Sequence, residues 1–221
     1  MNRNDKRREL TVTRPRFRVR QGGGKLIIGH DGPKNIVKII GCGGAGGNFI
    51  ARMLERGIEG VDLCTIDTDP KRLLLRRSGE MILIDRTKPE RADSQILRFV
   101  KGCEVIFLIA GLGGSTGTRA SKHIASLAKR TGYLVTGIFI LPFTGEGRKR
   151  ARIAGNAIDQ LSRTCDTVVA IRNDTLLRRR PMLSLNQAFR LADEMVCNGI
   201  VGTLRSLNYC ASMSRERSRR E

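Results

Sequence analysis

The chain has 221 residues, enough for one sizeable core with flanking segments, and its 40% hydrophobic and 28% charged content is that of a globular protein. Aromatics make up 4% and tryptophan is absent, so the core must be built from Ile, Leu, Val and Ala, the residues of buried parallel sheets. The formal charge of +20 favours anionic partners: nucleic acid, an anionic membrane or nucleotide phosphates.

Residues 1–33 carry nine Lys/Arg against three Asp/Glu together with Gly22-Gly23-Gly24, which predicts a flexible basic arm. Within it the alternation from Thr13 to Arg20 is weak, able at most to add an edge strand to a partner. No secretory-type leader opens the chain, and no apolar run approaches the roughly 18–20 residues of a membrane span. Regular alternation then begins, and it sets the folded body at 34–207. The runs Asn35–Ile40, Val61–Ile66, Met81–Ile84, Glu104–Ala110, Tyr133–Leu141 and Thr167–Ile171 read as strands. Between them, Asn48–Arg56, Pro70–Arg76, Ser94–Lys101, Ala120–Thr131 and Arg148–Ser162 read as helices. A long amphipathic helix follows over Ser184–Leu207, and 208–221 is a basic tail. This order predicts an α/β fold with a doubly wound, mostly parallel sheet, whose ligands bind at the carboxyl ends of the strands. The cysteines at 42, 64, 103, 165, 197 and 210 form no C-x-x-C pair and sit mostly in apolar runs, which predicts reduced, buried thiols rather than a disulfide frame or a zinc site.

Four constellations carry chemistry. The first is Gly41-Cys42-Gly43-Gly44-Ala45-Gly46-Gly47-Asn48, between a strand and a helix. Glycines allow a tight turn and bring backbone N–H groups against a phosphate at a helix N-terminus. The same run matches a dinucleotide fingerprint, with Asp67 and Asp69 about 20 residues on, where such folds hold a ribose acid. The second is Gly111-Leu112-Gly113-Gly114-Ser115-Thr116-Gly117-Thr118, again opening a helix. Two glycine-rich loops on one sheet edge enclose a di- or triphosphate from two sides, and the hydroxyls of Ser115, Thr116 and Thr118 add donors. The third is Glu146 with Arg150 one helical turn on: a carboxylate for ribose hydroxyls and a guanidinium for phosphate or for that carboxylate. The fourth is Phe189 with Asp193 on one helix face. The ring stacks on a base, and the carboxylate accepts both the ring N–H and the 2-amino group of guanine, a pattern adenine does not offer. Taken singly, each has an ordinary structural explanation: a glycine turn, a charged first helical turn, a core Phe beside a surface Asp.

Together, with Asn173-Asp174 after the last strand, the four resemble the nucleotide domain of FtsZ, the bacterial and archaeal relative of tubulin, from about Asn35 to Gly202. The resemblance implies phosphate contacts from Gly43, Gly44, Ala45, Gly46, Gly47 and Asn48, and from Gly111, Gly113, Gly114, Ser115, Thr116, Gly117 and Thr118. It implies ribose contact by Glu146, nucleotide contact by Arg150 and Asn173, guanine recognition by Phe189 and Asp193, and GTP or GDP with Mg²⁺ as ligands. There are departures. Where the family reads G-G-G-T-G-T-G, Ser115 replaces the third glycine and Arg119 the last. Asp85–Arg91 stands where the family has a glycine-alanine loop that senses the γ-phosphate, so Lys88 or Arg91 is expected to substitute electrostatically. The sequence ends at Glu221 without the acidic loop through which one FtsZ subunit completes its neighbour's site.

These features predict a guanine-nucleotide-binding protein, a slow or partner-dependent GTPase that self-associates by an interface other than the FtsZ one. It resembles single-domain FtsZ-like proteins associated with cytoskeletal assembly, cell division and membrane remodelling. The expected location is the cytoplasm, peripheral to an anionic membrane or a membrane protein through the basic tails; specific nucleic-acid binding is not expected, because no aromatic–basic stripe reads single strands. Catalytic residues and protein metal ligands are not identified. The alternatives are a Rossmann-type nicotinamide oxidoreductase and a basic membrane scaffold regulated by nucleotide; the former lacks a convincing catalytic His or Tyr, the only histidines being His30 and His123.

Overall fold

The computed structural model describes residues 17–22, 25–30, 36–76, 79–172, 174–175, 187, 190–203 and 206. The elements run β1 (Phe17–Gly22), β2 (Lys25–His30), β3 (Val37–Cys42), α1 (Gly43–Arg56), β4 (Ile58–Glu59), β5 (Asp62–Asp67), α2 (Pro70–Arg76) and β6 (Glu80–Leu83). A 3₁₀ turn at Pro89–Ala92 leads to α3 (Asp93–Val100), β7 (Val105–Gly111), α4 (Ser115–Arg130) and β8 (Leu134–Leu141). A second 3₁₀ turn at Thr144–Glu146 precedes α5 (Arg148–Thr164) and β9 (Thr167–Arg172), and residues 190–203 form a further helix, α6. Each of the six predicted strands and the helices between them is present. The main displacement is at the glycine-rich runs, which are already helical: α1 and α4 start at Gly43 and Ser115 rather than at the first apolar residues.

β6-β5-β3-β7-β8-β9 form one six-stranded sheet, and every neighbouring pair in it is parallel. The chain starts in the middle at β3, builds outward to β6, then returns to build from β7 to β9. The direction of winding therefore switches between β3 and β7, the two strands that lead into the glycine-rich loops.

Alternation along the central strands divides the core. In β7, Ile106, Leu108 and Ala110 join Ile40, Cys42, Ile96, Phe99, Ile124 and Leu161 beneath α3, α4 and α5. Val105, Phe107 and Ile109 point the other way, with Val37, Ile39, Phe49, Ile50 and Met53 of β3 and α1 and Val196 and Ile200 of α6. A strand covered on both faces must be apolar throughout, as the sequence VIFLIAG of β7 is.

Residues 17–22 and 25–30, expected to lie in a flexible arm, are instead paired strands. β1 and β2 form an antiparallel hairpin, and β2 runs parallel to β4, with Leu26 opposite Ile58. Ile28 is fully buried in the layer that holds Phe49 and Met53. The pairing depends on a two-residue strand some 30 residues away, so the weak alternation hinted at a strand but not at its partner within the chain. The remainder of the expected arm, and the 208–221 tail, lie outside the described residues. Gly60 sets how close the hairpin lies: its φ is +78°, and a Cβ there would fall 1.7 Å from the Ile28 carbonyl oxygen.

Cys42, Cys64, Cys103, Cys165 and Cys197 are free and buried, as the sequence reading expects; Cys210 lies outside the described residues. Burial is the main reason the thiols of Cys42, Cys64, Cys103 and Cys165 resist ionisation. It pushes Cys42 and Cys64 well up, Cys103 to about 12 and Cys165 to about 11.

Two outcomes follow from this packing. Gly60→Ala lowers the urea midpoint by the equivalent of about 1–3 kcal/mol, and more than Gly102→Ala, which shares a φ of +78° but has nothing within 4 Å of its added Cβ. In a Cys210→Ser background, a maleimide at pH 7.5 labels the protein only after unfolding; rapid labelling of the native protein would contradict the burial.

Candidate functional site

The β3–α1 and β7–α4 turns are pressed together, and side chains are excluded where they meet. A Cβ on Gly43 would lie 2.8 Å from the Gly117 nitrogen, one on Gly117 would lie 2.5 Å from the Gly111 carbonyl, and one on Gly46 would lie 2.4 Å from that of Ile109. At Gly44 and Gly114 an added Cβ would meet nothing within 4 Å, because these two face a cleft of about 530 Å³, a size that takes a small ligand. Neither α1 nor α4 has a side-chain cap or an acidic residue in its first turn. Their first N–H groups and positive dipole ends are thus aimed at the same space without an internal anion, an arrangement that suits a phosphate. Hydroxyls steady the second turn: Thr118 accepts from the Gly113 N–H at 3.0 Å, and Thr116 bonds Thr68 at 2.8 Å.

The flank after β8 carries Glu146 and Arg150, which are ion-paired with each other, and Glu146 also accepts the Phe143 N–H at 3.0 Å. Asp174, beyond β9, holds this segment by accepting the Thr144 N–H at 3.0 Å and its hydroxyl at 2.6 Å. Above α1, Asp193 of α6 is 1% exposed. Both its oxygens are engaged by Arg52, with Nε on Oδ2 and Nη2 on Oδ1 at 2.8 Å.

The opposite flank is built from β5 and β6. Asp67 is fully buried and accepts the N–H groups of Thr68 (2.7 Å) and Asp69 (3.2 Å). Asp69 accepts the Lys71 N–H at 3.0 Å, the capping geometry for α2, and pairs with Arg72 at 3.0 Å. Its bond from Arg72 holds the Asp69 carboxyl below the usual range. Asp85 accepts from the Thr87 hydroxyl and N–H, both at 2.7 Å, and from the Lys88 N–H at 2.9 Å. The Thr87 hydroxyl first, then those amides, keep Asp85 at about 2, so it is charged at any physiological pH. Arg86, next to it, donates to Ser115 Oγ at 2.8 Å.

The cleft is lined by Gly44, Ala45, Asn48, Gly111, Gly114, Ser115, Thr116, Gly117, Glu146, Arg150 and Asp193 from the sequence-derived set. Gly43, Gly46, Gly113 and Thr118 stand behind the lining in the contacts just described, and Gly47 is buried in the first turn of α1. Asp69 is not among the lining residues; it caps a helix. Asn173 and Phe189 lie outside the described residues. Sequence reasoning missed Arg52, Arg72 and Arg86, which also line the cleft. Arg52 was findable as the residue one turn after Asn48 on α1, whereas Arg72 and Arg86 come from elements with no motif.

The pattern that describes the Tubulin/FtsZ family GTPase domain matches residues 83–180. Cell division protein FtsZ 2 of Methanocaldococcus jannaschii is 35% identical over 182 residues, 75% of this chain and 48% of that protein. The chain belongs to the tubulin/FtsZ family. Cell division protein FtsZ 1 of Archaeoglobus fulgidus is similar at 33% over 185 residues, 76% of this chain and 50% of that one. This family member superposes on a solved empty FtsZ dimer of M. jannaschii with a TM-score of 0.70 and 30% identity, covering 78% and 55% of the two chains. CetZ from Methanosaeta thermophila shares the fold at a TM-score of 0.62 and 18% identity, covering 78% and 54%. The chain spans about half the length of the curated relatives it matches. Among the described residues no helix is long and apolar enough to cross a membrane.

The Arg52–Asp193 pair joins α1 to α6, and removing Arg52 strands a buried carboxylate. Arg52→Ala costs about 1–3 kcal/mol in urea denaturation. The double variant Arg52→Ala/Asp193→Ala costs less than the sum of the single changes, and strict additivity would show that the pair does not couple the helices.

Proposed function

We propose that the cleft binds GTP or GDP. The observation that carries the reading is the meeting of two uncapped, glycine-rich helix starts over one cavity, a site for a phosphate chain enclosed from both sides. Gly44 to Asn48 and Gly114 to Gly117 hold the phosphates. Glu146 takes the ribose hydroxyls, and Arg150 and Asn173 contact the nucleotide. Phe189 stacks on the base, while Asp193 accepts guanine N1–H and the 2-amino group, exchanging bonds now made by Arg52. Among the described residues no three His, Cys, Asp or Glu side chains converge on a metal position. Mg²⁺ therefore enters with the triphosphate, held by its oxygens and water.

The protein alone turns GTP over slowly. Among the described residues the two carboxylates lining the cleft, Glu146 and Asp193, are ion-paired with arginines, so neither is free to orient a water. In the cell it acts in cytoskeletal assembly, cell division or membrane remodelling, by self-association and from the cytoplasm. Its charge of +20 supports recruitment to anionic membranes or membrane proteins. The nicotinamide alternative loses its support where the ribose acid should be, because Asp67 is buried and Asp69 caps α2.

Freshly purified protein, denatured and analysed chromatographically, releases GDP or GTP. Asp193→Asn, which keeps the volume but reverses half of the hydrogen-bond pattern, loses most of the preference for GTP over ATP. Released NAD, or no nucleotide and no GTP binding on titration, would overturn the reading.

A further inference from the structure

Among the described residues four arginines line the cleft, and three of them face carboxylates: Arg52 with Asp193, Arg72 with Asp69, and Arg150 with Glu146. Arg86 does not. Among the described residues its polar partner is the Ser115 hydroxyl at 2.8 Å, on the first residue of α4. A hydroxyl leaves a guanidinium uncompensated, whereas an anion arriving at the open start of α4 would satisfy both the helix and the arginine.

Sheet order fixes where along a ligand this happens. Glu146 and Arg150 follow β8, the two glycine loops follow β3 and β7, and Arg86 follows β6 on the far side. A nucleotide with its ribose at Glu146 and its phosphates over the glycine loops has its last phosphate directed toward Arg86. The backbone that presents Arg86 is held on both sides. Before it, buried Ile84 donates its N–H to the Asp67 carbonyl at 3.0 Å. After it, Asp85 closes the turn onto Thr87 and Lys88.

We propose that Arg86 binds the terminal phosphate of a nucleoside triphosphate and so sets the preference of this chain for triphosphate over diphosphate, an inference that rests on the nucleotide reading above. The sequence had directed this role to Lys88 or Arg91, but neither lines the cleft, and Arg91 lies 4.0 Å from Asp85. Arg86 releases the Ser115 hydroxyl on binding, and the hydroxyl becomes a second donor to the same phosphate. The guanidinium offers two parallel donors to it, which a lysine at this position does not.

The test is titration of the full chain and of Arg86→Gln with GTP and GDP, in excess Mg²⁺ and at fixed salt. Arg86 is exposed, so the variant keeps its urea midpoint. Affinity for GTP falls about 10–100-fold, the loss of one charge-assisted bond, and affinity for GDP changes less than about 3-fold. Equal losses for both nucleotides would reduce Arg86 to part of a general basic field, and no loss for GTP would remove it from the site; either overturns the proposal while the nucleotide reading stands. Failure of the unmodified chain to bind either nucleotide would sink both.

Discussion

Everything at the cleft depends on one close contact, that between the turn into α1 and the turn into α4. Gly43, Gly46 and Gly117 lie where any side chain would strike backbone within 3 Å, and a Cβ on Gly111 would fall 2.9 Å from that of Ala45. Backbone atoms that close leave no room for water between the loops, so their polar groups must be satisfied within the fold or by a ligand. The strands beneath enforce the approach: β3 and β7 are neighbours in register from Val37–Val105 to Cys42–Ala110, so the chain leaves both at the same level. The flanking acids and arginines are arranged around that fixed centre.

Much of this was legible in the sequence because parallel sheets leave a strong signal. A strand buried on both faces is apolar end to end, as Val105–Ala110 is, and glycines placed between such a strand and a helix have few other uses. The two glycine-rich loops and the placement of Glu146, Arg150 and Asp193 at one cleft follow from local patterns of that kind. What was not legible is what depends on distant partners. The β1–β2 hairpin exists because Ile28 fits against α1 and β2 finds β4; neither fact is local. Arg86 reaches the cleft because β6 happens to lie two strands from β3, and Asp69 leaves it because its carboxylate is taken by Lys71 and Arg72. A charge in a loop has no periodicity to announce its destination.

The ion pairs around the cleft have two effects at once. Before any ligand arrives they neutralise carboxylates that would repel phosphate, and Arg52 to Asp193 also holds α1 to α6; hydrogen bonds from Thr144 to Asp174 do the same for the loops after β8 and β9. The cleft is thus assembled around its own internal salt bridges, and a ligand entering it replaces existing bonds rather than filling a vacuum. Binding free energy at such a site is a difference between two well-bonded states, which favours discrimination between ligands over sheer tightness.

The helix α1 also has a far end. Its 14 residues make a rod about 21 Å long. Its first turn forms one wall of the cleft, and its last turn stops at Gly57, directly before β4, the strand that pairs the hairpin. Phe49 and Met53 pack midway in the same layer as Ile28. A rod with a ligand at one end and a small sheet at the other is a lever. Any movement of α1 along its own axis when the cleft fills is carried whole to β4 and the hairpin paired with it, since a helix transmits translation without compressing.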